Sequence, residues 1–315
     1  MNTDLFLNPQ VNQYGSHMIM TNVHQSVSKH TIINIDTKFC DEYSNNRLNS
    51  ADFNYNLSEF NFTIPDKMTG VKSMTIKSVE IPMTYYNISA AFGNNYFVVQ
   101  VLDASGGNVT GTVPIIIPDG FYDYTSLATA INTAISVIPG LIFSISSLLV
   151  SEFVVDSDTD VFYNVCFNLD NSGDFLKYNF KSKMGWLLGF RNLQYSINRF
   201  SRFNSESCFN LNQKYLYLAI DDYSNSIPVS FLSGMPKHFI NKNIIAKILL
   251  DRSHFSNGAV LVASINNGLL IPDTRIFSGD KHNIQKLNIK LLDENGKIIN
   301  LNGNDFSFTM YLEKL

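Results

Sequence analysis

Near its end the chain reads Phe306-Ser307-Phe308-Thr309-Met310-Tyr311-Leu312, a strict two-residue alternation of large apolar and more polar side chains. Only a strand with one buried face keeps that period, because successive side chains point to opposite sides of a sheet. A half-buried strand needs partners, and the preceding residues supply them. Ile284–Leu292 and Lys297–Leu301 read as two more strands, joined by Asp293-Glu294-Asn295-Gly296. Asn-Gly is a strong short hairpin signal, since a type I′ turn needs positive φ at both central residues. Asn302-Gly303 offers a second tight turn.

The same signature recurs along the chain. Thr31–Asp36 is β-branched. Phe53–Leu57 and Phe60–Ile64 alternate, and Pro65 is expected to stop pairing because it lacks an N–H. Val71–Met83 reads as a longer strand whose alternation slips at Ser78-Val79, which predicts a bulge. Further strands are read at Tyr96–Leu102, Thr112–Ile117, Ile142–Ser146, Val150–Val155, Val161–Leu169, Leu176–Phe180, Tyr215–Asp221, Ile244–Leu250 and Ala259–Ile265. One segment departs from the period. Asp123–Ile138 places Leu127, Ile131, Ile135 and Ile138 at helical spacing, with Asp123 or Thr125 as cap and Pro139-Gly140 as stop. Met184-Gly185-Trp186-Leu187-Leu188-Gly189-Phe190 suits core packing or an interface anchor. Residues 1–30 read as a flexible N-terminal arm, ordered by a partner. Residues 192–212 read as a long surface loop, and about 192–243 as an insertion in a single domain over 31–315. Many short strands, one helix and Asn/Gly turns together predict an all-β antiparallel sandwich of jelly-roll type.

Charged residues make up 16% of the chain, against about 25% in an average soluble protein. Surface polarity therefore falls to Asn, Ser and Thr. A formal net charge of -4 argues against a nucleic-acid coat, and no specific nucleic-acid partner is expected. Lys177, Lys181, Lys183, Arg191, Arg199 and Arg202 form a basic stretch, read as a solvated and partly paired face. Cys40, Cys166 and Cys208 are odd in number and widely spaced, so no disulfide framework is indicated. The N-terminal residues lack a basic and an apolar region, so no signal peptide is expected, and no transmembrane segment is either.

Catalytic signatures are missing. No nucleophile elbow, P-loop or dinucleotide fingerprint occurs. His17, His24, His30, His238, His254 and His282 have no ligand spacing with Cys or acids, so no metal and no cofactor is predicted. Asp221-Asp222 stands at a strand end, where adjacent residues face opposite ways; turn capping suits it better than hydrolysis. Asp156, Asp158 and Asp160 alternate and could share a face, but match no calcium loop. Tyr195, Phe200, Phe203, Phe209 and Tyr215 suggest an exposed aromatic surface, which would fit a host glycan.

Several stretches resemble, in order, the penton and minor capsid proteins of large eukaryotic DNA viruses and their virophages. They are IINIDTKFCDEYSNNRLNSADFNYNLSE, VKSMTIKSVEIPMTYYNIS followed by NNYF, IIIPDGFYDYTSLATAINTAI, MGWLLGFR, KYLYLAIDDY and LNIKLLDENGKIINLNGNDFSFTMYLEKL. The resemblance implies a non-enzymatic jelly-roll capsid chain of the virion, assembled in the host cytoplasm. Above all it implies the penton protein, a homopentamer at the five-fold vertices that meets neighbouring major and minor capsid proteins. The alternatives are a minor (cementing) capsid protein and a carbohydrate-binding viral attachment β-sandwich.

Overall fold

The computed structural model describes residues 10–14, 17–21, 29–39, 58–103, 105–155, 161–167, 183–198, 200–224, 231, 233–235, 238–240, 243–251, 256–277 and 282–314. In chain order, β1 (Gln10–Tyr14) and β2 (His17–Thr21) pair as a hairpin, followed by β3 (Lys29–Asp36), β4 (Glu59–Met68) and β5 (Val71–Pro82). Next come β6 (Tyr96–Leu102), β7 (Asn108–Ile116), helix α1 (Tyr124–Ile135), β8 (Leu141–Ile145), β9 (Ser151–Val155) and β10 (Phe162–Cys166). The short helix α2 (Met184–Leu187), β11 (Gln194–Ile197) and β12 (Arg202–Asn204) lead into β13 (Tyr215–Asp221), β14 (Ser233–Met235) and β15 (His238–Ile240). The chain closes with β16 (Ile244–Leu249), β17 (Val260–Ser264), β18 (Leu270–Pro272), β19 (Thr274–Ile276), β20 (Ile284–Leu292) and β21 (Ser307–Lys314).

The strand order defines the fold. One sheet runs β17-β5-β21-β3 and its partner β18-β16-β13-β20-β4, every named pair antiparallel. Letter β3, β4, β5, β13, β16, β17, β20 and β21 as B to I. The two sheets then read B-I-D-G and C-H-E-F, which is the eight-stranded jelly roll, with β18 and β19 added beside them. Inward residues of both sheets, among them Ile35, Met74, Ile76, Val79, Leu218, Ile248, Leu287, Ile289, Phe308 and Met310, form one core.

Between strands D and E the chain builds a second, smaller sandwich. Sheets β11-β10-β6-β7 and β12-β9-β8 face each other, and α1 lies along β8. Its core is separate and dominated by rings: Phe97, Phe143, Phe153, Phe167, Phe190 and Tyr195. Asp123 caps α1 in a reciprocal box, accepting from Ser126 N–H at 2.7 Å while its own N–H donates to Ser126 Oγ at 2.9 Å. Leu127, Ile131 and Ile135 face the core. Asn132 exchanges two hydrogen bonds with the Phe143 backbone, at 2.7 and 2.9 Å, which ties the helix to edge strand β8.

Several local expectations need correction. β4 runs through Pro65 instead of ending there. Proline is tolerated because β4 is an edge strand and its register with β20 shifts between Ile284 and Lys286, beside that residue. The bulge expected around Ser78-Val79 is present, at the adjacent Lys77, where the β21 pairing passes from Ser78 to Ile76. Residues 297–301 make only an isolated bridge, Ile298 to Leu292. The turn before them has positive φ at Gly296 alone (77°), so it is a type I turn with a glycine bulge, not type I′. Residues 192–243 do not stand apart as one insertion: β11 and β12 belong to the small sandwich, and β13 to the jelly roll. The strands expected at Phe53–Leu57 and Leu176–Phe180, and Asp156, Asp158 and Asp160, lie outside the described residues.

Candidate functional site

Two places gather polar side chains that packing alone does not require. The first is the junction of the two sandwiches. Asn87, just past β5, donates through Nδ2 to Tyr122 O at 2.8 Å and accepts from Tyr122 N–H at 2.9 Å. Asp119 accepts from Ala90 N–H at 2.8 Å. Asn94 donates to Asn87 O and accepts from Ser89 N–H, both at 2.8 Å. From the other side Lys183 Nζ donates to Gly93 O at 3.1 Å and Lys297 Nζ to Phe92 O at 2.7 Å. Asp293 is 2% exposed, and its carboxylate accepts the N–H groups of Asn295 and Lys297 at 2.9 and 2.7 Å. Burial pushes the carboxyls of Asp293 and Glu294 up and the Lys297 ammonium down.

The two glycines of Met184–Phe190 are explained at the same place. A Cβ on Gly185 would sit 2.3 Å from the Phe167 side chain, and one on Gly189 (φ 95°) 1.9 Å from Ser207 O. Both positions need a residue without a side chain. Met184, Leu188 and Phe190 are buried, while Arg191 stacks on Trp186 at 3.9 Å and donates to Trp186 O. The segment is core in its apolar residues and cation-stacked at its tryptophan.

The second place surrounds Asp221-Asp222, whose side chains diverge. Asp222 turns inward, with its side chain fully buried, and its Oδ2 lies 2.7 Å from His282 Nε2. The His282 ring stacks on Phe277 at 3.8 Å. Arg275, on β19 and 2% exposed, crosses the sandwich interior and donates to Ile220 O at 2.9 Å and Asn243 O at 3.1 Å. Burial lowers the Arg275 pKa, while Asp222, Asp221 and Asp273 act against that shift. One end of the jelly roll is thus closed by a charged cross-link between its sheets. Asp221 points the other way, to the outer face of the C-H-E-F sheet. There Ala219, Asp221, Asn243, Asn288 and Lys290 surround a depression of about 260 Å³. Both acids also cap the turn, as expected: Asp221 accepts from Tyr223 N–H at 2.9 Å and Asp222 from Ser224 N–H at 3.2 Å. Because they diverge, they do not form the facing pair that a glycoside hydrolase uses.

The other expected site residues scatter. Tyr195 is 5% exposed, and Phe203 and Phe209 pack on the small sandwich's core; of the five aromatics, Phe200 alone is largely exposed, at 54%. The aromatic surface proposed for a glycan is therefore mostly core. Sequence reading missed it because each of these short elements supplies a single ring, leaving no period to detect. Arg202 pairs with Glu152 at 2.9 Å, so the described part of the basic stretch is engaged. His30 stacks on Tyr311 at 4.9 Å; His24, His254 and Cys40 lie outside the described residues. Cys166 is buried and Cys208 exposed, both as free thiols. Among the described residues no group of three His, Cys, Asp or Glu could hold a metal ion, and no helix is long and apolar enough to cross a membrane.

No family model matches the chain, and no curated protein does. Among solved structures, the selenomethionine-labelled mavirus penton protein superposes with a TM-score of 0.40 at 14% identity, over 82% of this chain and 99% of its own. The jelly roll itself rests on the strand order described above.

Proposed function

We propose that the chain is a structural, non-catalytic capsid protein, and specifically a penton protein that forms homopentamers at five-fold vertices. The observation that carries this reading is the junction. The segments whose sequence resembles capsid pentons lie far apart in the chain, yet they meet there: Asn87 and Asn94, Asp119 and Tyr122, Leu187, and Asp293 with Lys297. One architecture, a jelly roll carrying a sandwich between strands D and E, brings these separate segments to one place. The jelly roll suits a shell, since it hides its strand edges within a double sheet and leaves long connections for neighbours. A ring of copies needs a head-to-tail contact whose rotation closes. On this reading residues 1–30 act as an arm that orders on adjacent capsid chains, and the protein resides in the virion.

Native mass spectrometry across a concentration series tests the reading. A closed five-subunit species is the expected result. A protein monomeric at every concentration and absent from particles overturns it, and a trimer replaces the vertex role with a major-capsid-like or fibre-like one.

A further inference from the structure

We propose that the depression on the outer face of the C-H-E-F sheet binds a single neutral sugar ring. The inference stands beside the capsid reading and does not rest on it. The site is built by register. On β13, Tyr217, Ala219 and Asp221 share the outer face. Ala219 pairs with Lys290 and Asp221 with Asn288 across β20. Ala219, 1% exposed, lies beneath the polar side chains of Asp221, Asn243, Asn288 and Lys290, which line about 260 Å³ with it. That lies just under the range of roughly 300–1,000 Å³ that holds drug-sized ligands, and suits one pyranose ring.

The lining matches hydroxyl groups. Sugar hydroxyls donate and accept at once, so they call for a mixed set of partners. Asp221 offers acceptors only, Lys290 donors only, and the amides of Asn288 and Asn243 both. An exposed ring is tethered to one wall through Asn61. Tyr223 is 58% exposed and held at φ 58°, a backbone conformation uncommon for a bulky residue. Its hydroxyl donates to Asn61 Oδ1 at 2.7 Å, and Asn288 Nδ2 donates to the same oxygen at 3.1 Å. Through Asn61 the tyrosine hydroxyl is tied to Asn288, which lines the depression, and on this proposal the exposed ring takes the C–H face of the sugar. Asn243, on the opposite wall, is also at positive φ (56°).

Charge selects the class of sugar. Lys290 is ion-paired with Glu59, so its charge is countered and Asp221 leaves the site net negative. Sialylated, sulfated and phosphorylated ligands are disfavoured there. A protein partner fits poorly, because among the described lining residues Ala219 is the one apolar side chain, too small to form a pocket for an anchor.

The test is saturation-transfer NMR on the full chain with glucose, galactose, mannose, fucose and N-acetylglucosamine, each in the millimolar range, followed by titration. At least one should bind with a Kd of about 1 mM, the scale set by so few ligand atoms. Tyr223→Ala and Asn288→Ala should each weaken it by roughly tenfold, whereas Tyr124→Ala, an exposed tyrosine on the small sandwich, should leave it unchanged. Thermal melts establish that each variant is folded; should Asn288→Ala fail to fold, Tyr223→Ala carries the test, since its side chain lies at the surface. No binding of any neutral sugar overturns the proposal, as does binding that survives Tyr223→Ala, or a preference for sialylated over neutral glycans.

Discussion

The jelly roll and the sandwich inserted in it solve the same packing problem with different materials. The jelly roll has long strands, up to the 12 residues of β5, and fills its interior mainly with Ile, Leu, Val and Met. The small sandwich has strands of 3–5 residues in β8 to β12 and fills its core with linked rings. Phe153 alone lies within 4.8–6.1 Å of Phe97, Phe143, Phe167 and Phe190. Long strands present many inward positions, so medium side chains interdigitate to native density. A short strand presents only one or two, and each must bring a large volume. Buried charge divides the same way. Among the described residues Asp222, Arg275 and Asp293 are the buried charged ones, all in the jelly roll, whereas from β8 to Ser205, just past β12, the buried polar residues are the serines Ser151 and Ser205.

Separate cores predict separate melting. Phe153→Ala should cost about 3–5 kcal/mol and lower the transition of the small sandwich, with the jelly roll melting as before. Phe308→Ala, at a fully buried position in the other core, should lower the jelly roll's transition by a similar amount. Calorimetry with near-UV circular dichroism distinguishes the two. If either substitution lowers one shared transition, the junction couples the cores into a single cooperative unit and the contrast fails.

The charged cross-link sharpens the comparison at the next size of effect. Arg275→Met keeps most of the buried volume but removes the donors to Ile220 O and Asn243 O. It should destabilise the jelly roll by about 2 kcal/mol, and denaturant unfolding followed by far-UV circular dichroism measures that. A neutral result would mean that the apolar replacement offsets the lost bonds, as happens at some buried ion pairs. Smaller again, Asp123→Ala removes the cap of α1 and should cost the small sandwich about 1 kcal/mol, with no change in the jelly-roll transition.

What the sequence made legible follows element length and not the division between the two cores. Alternation, β-branched runs and continuous apolar runs located β3, β5, β13, β16, β17, β20 and β21 within a residue or two, and Asp123 was legible as a cap because its partner lies three residues on. The elements of three or four residues were not. β18 and β19 have three residues each, and in Thr274-Arg275-Ile276 the charged residue faces inward while Ile276 is 66% exposed, which inverts the usual pattern. The Asp222–His282 pair spans 60 residues of sequence and has no local signature. That Asp221 and Asp222 face opposite ways followed from strand geometry; which of them meets a cavity and which a histidine is decided by tertiary packing.

The junction gives the smallest effect and the one most specific in sign. Asp293 is buried with its carboxyl pKa raised above the usual 3.8, mainly by desolvation. A raised carboxyl binds its proton more tightly in the folded protein than in the unfolded chain. Its contribution to stability is therefore fully present below the unfolded pKa, and it is lost as pH rises through the folded value. Asp293→Asn retains an oxygen for the N–H groups of Asn295 and Lys297 but has no charge to desolvate. The stability of the variant minus that of the parent should thus grow more positive from about pH 4 toward pH 7, measured as the difference in melting temperature at each pH. The comparison must be a difference, because Asp123, whose pKa is lowered by its hydrogen bonds to Ser126, contributes in the opposite sense to both proteins. A difference that stays flat across that range would mean that Asp293 reaches solvent when the junction opens, and that the two sandwiches part more readily than their cores unfold.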